Sequence, residues 1–243
     1  MGLQESMPAT GRWLFKYRGQ LPVIIFLLAY PAVSFTDYTS FTPDALRIIN
    51  YSAFACSVLG FLIRCYTVGT TPTGTSGRNT KEQVAEQLNT TGIYSMVRHP
   101  LYLGNYLMWL GILIYTKNIY FTLTVSLMYW LYYERIMMAE ENFLSSKFGA
   151  AFKEWSSVIP AFLPRLRGFV PPSEPFSLKQ VLRREYSGVL ATVIGFVYVQ
   201  QLIGLSTFGS DYIISSTYKA TLLATAIAAL VLRILKKYTR LLD

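Results

Sequence analysis

Two short stretches hold the residues whose types and spacing could do chemistry. The first runs Thr91-Gly92-Ile93-Tyr94-Ser95-Met96-Val97-Arg98-His99-Pro100-Leu101-Tyr102-Leu103-Gly104-Asn105 and contains the only histidine of the 243-residue chain. Pro100 suits the first position of a helix, where its missing N–H would have no partner in any case. His99 then falls at or next to the N-cap, beside free backbone N–H groups and the positive end of the helix dipole, a place suited to an anion. The second stretch is Glu134-Arg135 followed by Glu140-Glu141 at the end of an apolar run. Glu134 and Glu141 share one helical face, and Glu140 lies about 100° round from its neighbour. Acids near a helix C-terminus oppose its dipole, so a bound cation would account for them. The plainer alternatives are that Arg98 and His99 mark a membrane surface and that the acids form a solvated helix end. Tyr102, Asn105 and Trp109 recur at helical spacing. Such a stripe is ordinarily a packed or lipid-belt face, although an amide within a membrane helix must find partners.

The elements that position these residues belong in a bilayer. The chain is 52% apolar and 14% charged, whereas globular proteins carry about 25% charged residues. Its net charge of +9 is spread among apolar runs rather than gathered in a soluble domain, which points to a membrane surface and not to nucleic acid. Cys56 and Cys65 lie in one apolar run without disulfide or metal spacing, and a single histidine makes no zinc or di-iron site. The sequence therefore predicts an all-α, polytopic membrane helix bundle with no metal. About six stretches approach the roughly 20 apolar residues a span needs: about 20–36, 46–68, 100–116, 119–140, 187–207 and 212–234. Pro22 and Pro31 predict a kink or a late start in the first, which reads as a retained span rather than a signal peptide.

Charge placement favours both termini in the cytoplasm, leaving only Arg47, Lys117 and Lys219 as cations on the opposite side. Loops 69–99 and 141–186 then open to the cytoplasm. The Gly/Thr/Ser-rich start of the first loop reads as a flexible lid, because no Walker lysine follows a glycine and no strand precedes it. A short helical patch is expected at about 80–88. Ser177 reads as the N-cap of an interfacial helix with Lys179, Arg183 and Arg184 opposite Leu178, Val181 and Leu182, anchored in an anionic headgroup zone. The chain divides into three parts: 1–45 with the first span, a core over 46–168, and 169–243 with the interfacial helix and a closing hairpin.

The first stretch taken with Glu140-Glu141-Asn142-Phe143-Leu144, Phe148-Gly149-Ala150-Ala151-Phe152, Val158-Ile159-Pro160 and Pro164 resembles the isoprenylcysteine carboxyl methyltransferase family, whose superfamily includes phospholipid N-methyltransferases. The resemblance covers roughly residues 46–165. It implies an integral membrane methyltransferase that binds S-adenosylmethionine from the cytoplasm, under a roof formed by the loop after the fourth helix. Carried across by position, His99, Pro100, Tyr102, Gly104 and Asn105 line the cofactor. Glu140 and Glu141 bind its ammonium or ribose, and Tyr94 and Arg98 close the entrance. The chemistry is coherent: acids suit a sulfonium and an ammonium, while a helix N-terminus with Arg98 suits a carboxylate. Gly104 would admit a flat adenine.

For the acceptor, an amine needs a general base, whereas a carboxylate or phosphate needs only a cation to hold it. With Arg98, Arg135, Arg165 and Arg167 nearby, the expected acceptor is an anionic group on a membrane-embedded lipid or lipidated substrate, the phosphate of a lipid A-like glycolipid being one example. The runner-up is N-methylation of an ethanolamine headgroup, with Glu134 or Glu141 as base. A non-catalytic transporter or structural protein is the alternative of another class, but neither an internal repeat nor a matched pair of broken helices is evident. The expected location is the bacterial inner membrane, with the site on its cytoplasmic face.

Overall fold

The computed structural model describes residues 3–17, 21–72 and 85–242. These form eight α-helices and two single 3-10 turns, and among the described residues there is no strand. The helix starts obey local sequence chemistry. Helix α3 (Pro43–Thr70) opens with the Thr42 hydroxyl accepting from the Ala45 N–H at 3.2 Å, with Pro43 and Asp44 in its first turn, each favourable there. Helix α4 (Pro100–Tyr115) starts at Pro100 with His99 as N-cap, as the dipeptide predicts. Helix α5 (Ile119–Phe148) is capped by Asn118, whose Oδ1 accepts from the Phe121 N–H at 2.8 Å. It ends at Gly149 with φ 54°, and this left-handed hinge, which glycine alone takes up freely, turns the chain directly into α6 (Ala150–Val158). Helix α7 (Leu178–Phe208) begins at the Ser177 cap and stops at Gly209, and α8 (Ser216–Tyr238) closes the chain.

Three boundaries depart from expectation. The fourth apolar stretch continues as helix through Phe148, so Glu140 and Glu141 sit within α5 rather than at its end. The interfacial helix from Ser177 and the span expected at 187–207 are one continuous helix of 31 residues. The Ser187-Gly188 dipeptide between Arg184 and the apolar run, a turn signal in sequence, stays helical. Of the helical patch expected at 80–88, residues 80–84 lie outside the described residues, and 85–88 are not helical. Ahead of the first apolar helix, α2 (Leu21–Ser34, with Pro31 inside it), lies a further helix, α1 (Leu3–Tyr17).

Among the described residues three helices, α3, α7 and α8, are long and apolar enough to cross a bilayer, and α4 is a shorter apolar helix. At the standard rise, the 28 residues of α3 extend about 42 Å, more than the roughly 30 Å hydrocarbon layer. The tightest packing joins α3 to α4 through small residues, as membrane helices pack. A methyl group on Gly60 would lie 2.5 Å from the Gly104 carbonyl oxygen, and the Ser57 hydroxyl donates to the Met108 carbonyl at 2.8 Å. Helix α7 packs against α2, α3 and α4, while α8 leans on α7. Helix α1 lies along α5, with Phe15 buried in a cluster with Tyr132, Tyr133, Ile136 and Met137. Large apolar side chains such as Ile48, Leu62, Leu127, Leu223 and Leu230 point outward, as a lipid-facing surface requires.

Candidate active site

The segment carrying Arg98 and His99 takes its shape from a loop far along the chain. Gly92 adopts φ 59° and pairs with Val170, its N–H donating to the Val170 carbonyl at 2.8 Å. A 3-10 turn at Ile93–Ser95 comes next. The Arg98 and His99 N–H groups donate to the carbonyls of Pro160 and Ala161 at 2.9 and 3.1 Å, and the Arg165 N–H returns a bond to the Met96 carbonyl at 3.0 Å. The loop after α6 thus holds residues 92–99 as a second, irregular strand would, and buried backbone groups find partners without a sheet.

On this support four charged side chains close on one another. Arg98 donates to both oxygens of Glu141, at 2.8 and 3.3 Å, and its Nη1 donates to the carbonyls of Ser156 and Ile159, both at 2.7 Å. His99 Nε2 meets Glu141 Oε1 at 2.9 Å, and its Nδ1 lies 3.5 Å from Glu140 Oε2. The Tyr102 hydroxyl donates to the other oxygen of Glu140 at 2.5 Å. An imidazole with a carboxylate at each nitrogen serves both as a donor only when protonated. Burial disfavours the charge, but the hydrogen bonds and charges of Glu140 and Glu141 outweigh it and raise the His99 pKa above its ordinary value. Burial likewise opposes ionisation of Glu141, yet His99 and Arg98 bring its pKa below the usual value. The cluster is two cations on two anions, welding the start of α4 to α5.

Beside it, the Tyr94 hydroxyl pairs with Thr71 and faces the charges of Glu140, Arg184 and Arg64; burial, with Glu140 adding to it, pushes the phenol pKa up. The Tyr94 carbonyl accepts from the Trp155 indole N–H at 3.2 Å, tying α6 to the same turn. The Tyr102 ring lies 5.7 Å from the His99 ring and 4.8 Å from that of Tyr133, and the Tyr129 hydroxyl donates to the Tyr102 carbonyl at 2.8 Å.

The structure brings together Tyr94, Arg98, His99, Tyr102, Glu140 and Glu141, with Pro100 buried beneath them at the start of α4. Gly104 and Asn105 turn the other way. A methyl on Gly104 would meet Arg64 Cγ at 2.5 Å and the Gly60 carbonyl oxygen at 2.8 Å, so its lack of a side chain serves the α3–α4 contact rather than an approaching adenine. Asn105 Oδ1 accepts from Arg64 Nη1 at 2.6 Å, which satisfies the amide within the bundle. Arg135 donates to the Leu131 carbonyl of its own helix at 2.5 Å, and Glu134 stands half-buried beside it, earlier on α5 than the cluster. The acids of α5 have their counter-charges in Arg98 and His99, a pairing that no spacing in the sequence indicates. The sequence reading places Arg64 with the cytoplasmic cations at the end of the second span and passes over Glu185; the structure buries both, and they grip each other through two bonds of 2.7 Å. The signal for both was present, since an ionisable residue in or beside an apolar run requires a partner.

The arrangement has recognisable relatives. Residues 49–151 match the model of the phospholipid methyltransferase family. Over that core the chain is similar to the isoprenylcysteine and phospholipid methyltransferases. It is 30% identical over 128 residues, half of this chain, to Protein-S-isoprenylcysteine O-methyltransferase of Schizosaccharomyces pombe, covering 54% of that protein. It is similar also to the cobalt-zinc-cadmium resistance protein CzcN of Cupriavidus metallidurans, 40% identical over 32% of this chain and 36% of the relative. The nickel-cobalt-cadmium resistance protein NccN of Alcaligenes xylosoxydans xylosoxydans is 37% identical over 39% of this chain and 41% of the relative. The chain thus spans about half or less of the length of these relatives. No solved structure matches.

Proposed function

We propose that this protein is an integral membrane methyltransferase that moves a methyl group from S-adenosylmethionine to an anionic oxygen, of a carboxylate or a phosphate, on a membrane-embedded lipid or lipidated substrate. The side chains fit such a cofactor in kind. Glu140, flanked by Tyr94 and Tyr102, offers negative charge and aromatic faces to a sulfonium. The start of α4, which carries no side-chain cap, suits a carboxylate. When bound, S-adenosylmethionine supplies an electrophilic methyl group. The chain's part is to position: His99 and Arg98 fix the two α5 carboxylates, Tyr102 orients Glu140, and the Tyr94–Trp155 contact holds the turn beside them. Alignment of donor and acceptor carries most of the rate in such a displacement.

The choice of an anionic acceptor rests on one observation. Glu141 is held by Arg98 and His99, and Glu140 by Tyr102 and His99, so neither of these carboxylates stands free as a base for an amine, and Glu134 lies six residues before Glu140 on α5, about 9 Å along its axis from the cluster. An acceptor that is already ionised needs none. The O-methyltransferase name of the yeast relative points the same way. With Arg98 committed inward, the acceptor's charge is left to the exposed Arg167 and to Arg165 on the adjoining loop, although Arg165 Nε and Nη1 already donate to the Ser95 and Val158 carbonyls at 3.1 and 3.5 Å. Six spans with cytoplasmic termini complete this reading, α2, α4 and the uncharged first half of α5 crossing beside α3, α7 and α8. The test is incorporation of labelled methyl from S-adenosylmethionine into fractionated membrane lipids and lipidated peptides. Label in a methyl ester is expected. Label confined to ethanolamine nitrogen overturns the acceptor, and no incorporation into any fraction overturns the activity.

A further inference from the structure

The buried ion pair joins the matched core to a helix outside it. Arg64, on α3, is 9% exposed, and Glu185, on the second turn of α7, is 2% exposed. Their four heteroatoms form a fork, Nε to Oε2 and Nη2 to Oε1, each at 2.7 Å. The remaining Nη1 of Arg64 reaches α4, donating to Asn105 Oδ1 at 2.6 Å and to the Leu101 carbonyl at 3.3 Å. Those two acceptors flank Tyr102, whose hydroxyl is held from the opposite side by Glu140. Helix α4's first turns are thus clamped between Arg64 on one face and the α5 acids on the other. A buried guanidinium without its carboxylate would be an uncompensated charge, so Glu185 is the residue that lets Arg64 sit there.

We propose that α7 is part of the catalytic unit: Glu185 is a positioning residue that, through Arg64, fixes the Leu101–Asn105 turn of α4 and with it the placing of Tyr102 against Glu140. The inference rests on the methyltransferase reading above, and it assigns a task to a segment that the matched residues 49–151 do not include. The competing possibility is that the pair merely ties three helices together. The two diverge once both charges are removed. A buried pair replaced by apolar groups of similar size commonly leaves stability intact. A tie would therefore be restored in the Arg64→Met/Glu185→Leu double variant, whereas the clamp on Asn105 and Leu101 would not.

The experiment uses the full-length protein in detergent, with three readouts: melting temperature, amide exchange of residues 101–106, and calorimetric affinity for S-adenosylhomocysteine. In the double variant the melting temperature is expected to stay near wild type. Amides 101–106 exchange faster, and affinity falls about tenfold or more, as expected when a positioning contact is lost. Arg64→Lys keeps a charge for Glu185 but lacks the planar fork that reaches both partners; it is expected to show the same loss of affinity if the double variant does not fold. Wild-type affinity or unchanged protection of 101–106 in the variant that folds overturns the proposal. If the wild-type protein itself binds no S-adenosylhomocysteine, the methyltransferase reading fails, and amide exchange alone then decides the clamp.

Discussion

Glu141→Gln removes the anion on which two cations converge. The wild-type carboxylate accepts from Arg98 at 2.8 and 3.3 Å and from His99 at 2.9 Å, with 24% of its side chain exposed against 16% for Arg98 and 6% for His99. A hydrogen bond to a charged group contributes about 1.5–3 kcal/mol net, and partial exposure screens such a pair toward the lower figure. Glutamine keeps one acceptor oxygen but turns an N–H toward donors, so the combined loss is about 2–3 kcal/mol. For a chain of this size that is roughly 5–10 °C in melting temperature, read by scanning fluorimetry in detergent at one scan rate. The sign with pH is fixed by both partners. Glu141 titrates below its ordinary 4.5, so its contribution is complete above that value and fades as pH falls further. His99 titrates above its ordinary 6.5, so its contribution is complete below that value and fades as pH rises through the folded value. The gap between wild type and variant is therefore widest near about pH 5.5 and narrows toward alkaline pH, where Arg98 alone remains. A gap absent at about pH 5.5, or one that widens as pH rises, refutes the reasoning.

The same geometry sets other outcomes. Gly104→Ala places a methyl 2.5 Å from Arg64 Cγ and should cost about 1–3 kcal/mol through overpacking, seen as a lowered melting temperature. Gly149→Ala has open space around the new methyl but must take φ 54° and ψ −119°, which an L side chain rarely adopts, so a cost above about 1 kcal/mol is expected from backbone strain alone. Asn105→Leu strands an Arg64 N–H and should destabilise by about 1–3 kcal/mol; adding Arg64→Met together with Glu185→Leu, so that no buried carboxylate is orphaned, should restore most of it, and failure to do so would separate Asn105 from the ion pair. In a Cys56→Ser/Cys65→Ser background, Asp211→Cys in intact cells should react with an impermeant thiol reagent and Lys153→Cys should not. The reverse pattern would invert the proposed orientation.

Much of this was legible in the chain. Pro100 after His99 and Ser177 before Leu178 each mark a helix start by local chemistry, and the structure starts helices there. That His99 and the α5 acids meet came from paired motifs, since no spacing rule joins residues so far apart in the chain. What stayed hidden is long-range. Gly104 looked like room for a ligand because its true neighbours, Gly60 and Arg64, come from a different helix. That Arg98 and His99 already sit on the α5 acids stayed hidden because the fold of the 159–170 loop, which aims Arg98 inward, leaves no periodic trace. Glu185 was passed over because it directly follows two arginines at the edge of an apolar run, where a solvated acid is the commoner finding. The α1 helix was missed because its apolar face is narrow, and Gly11, which lets it approach the Arg135 carbonyl, reads in sequence as a helix breaker.

Tyr94, His99, Tyr102 and the α5 acids are proposed to form a site for a sulfonium methyl donor, and all of the enzymology depends on that site. Calorimetric titration of S-adenosylhomocysteine into the detergent-purified protein, with Glu140→Gln and His99→Gln beside wild type, tests it most directly. Saturable binding at one molecule per chain, weakened at least about tenfold in both variants, is the predicted result. No binding to wild type, or equal affinity in all three proteins, would contradict it.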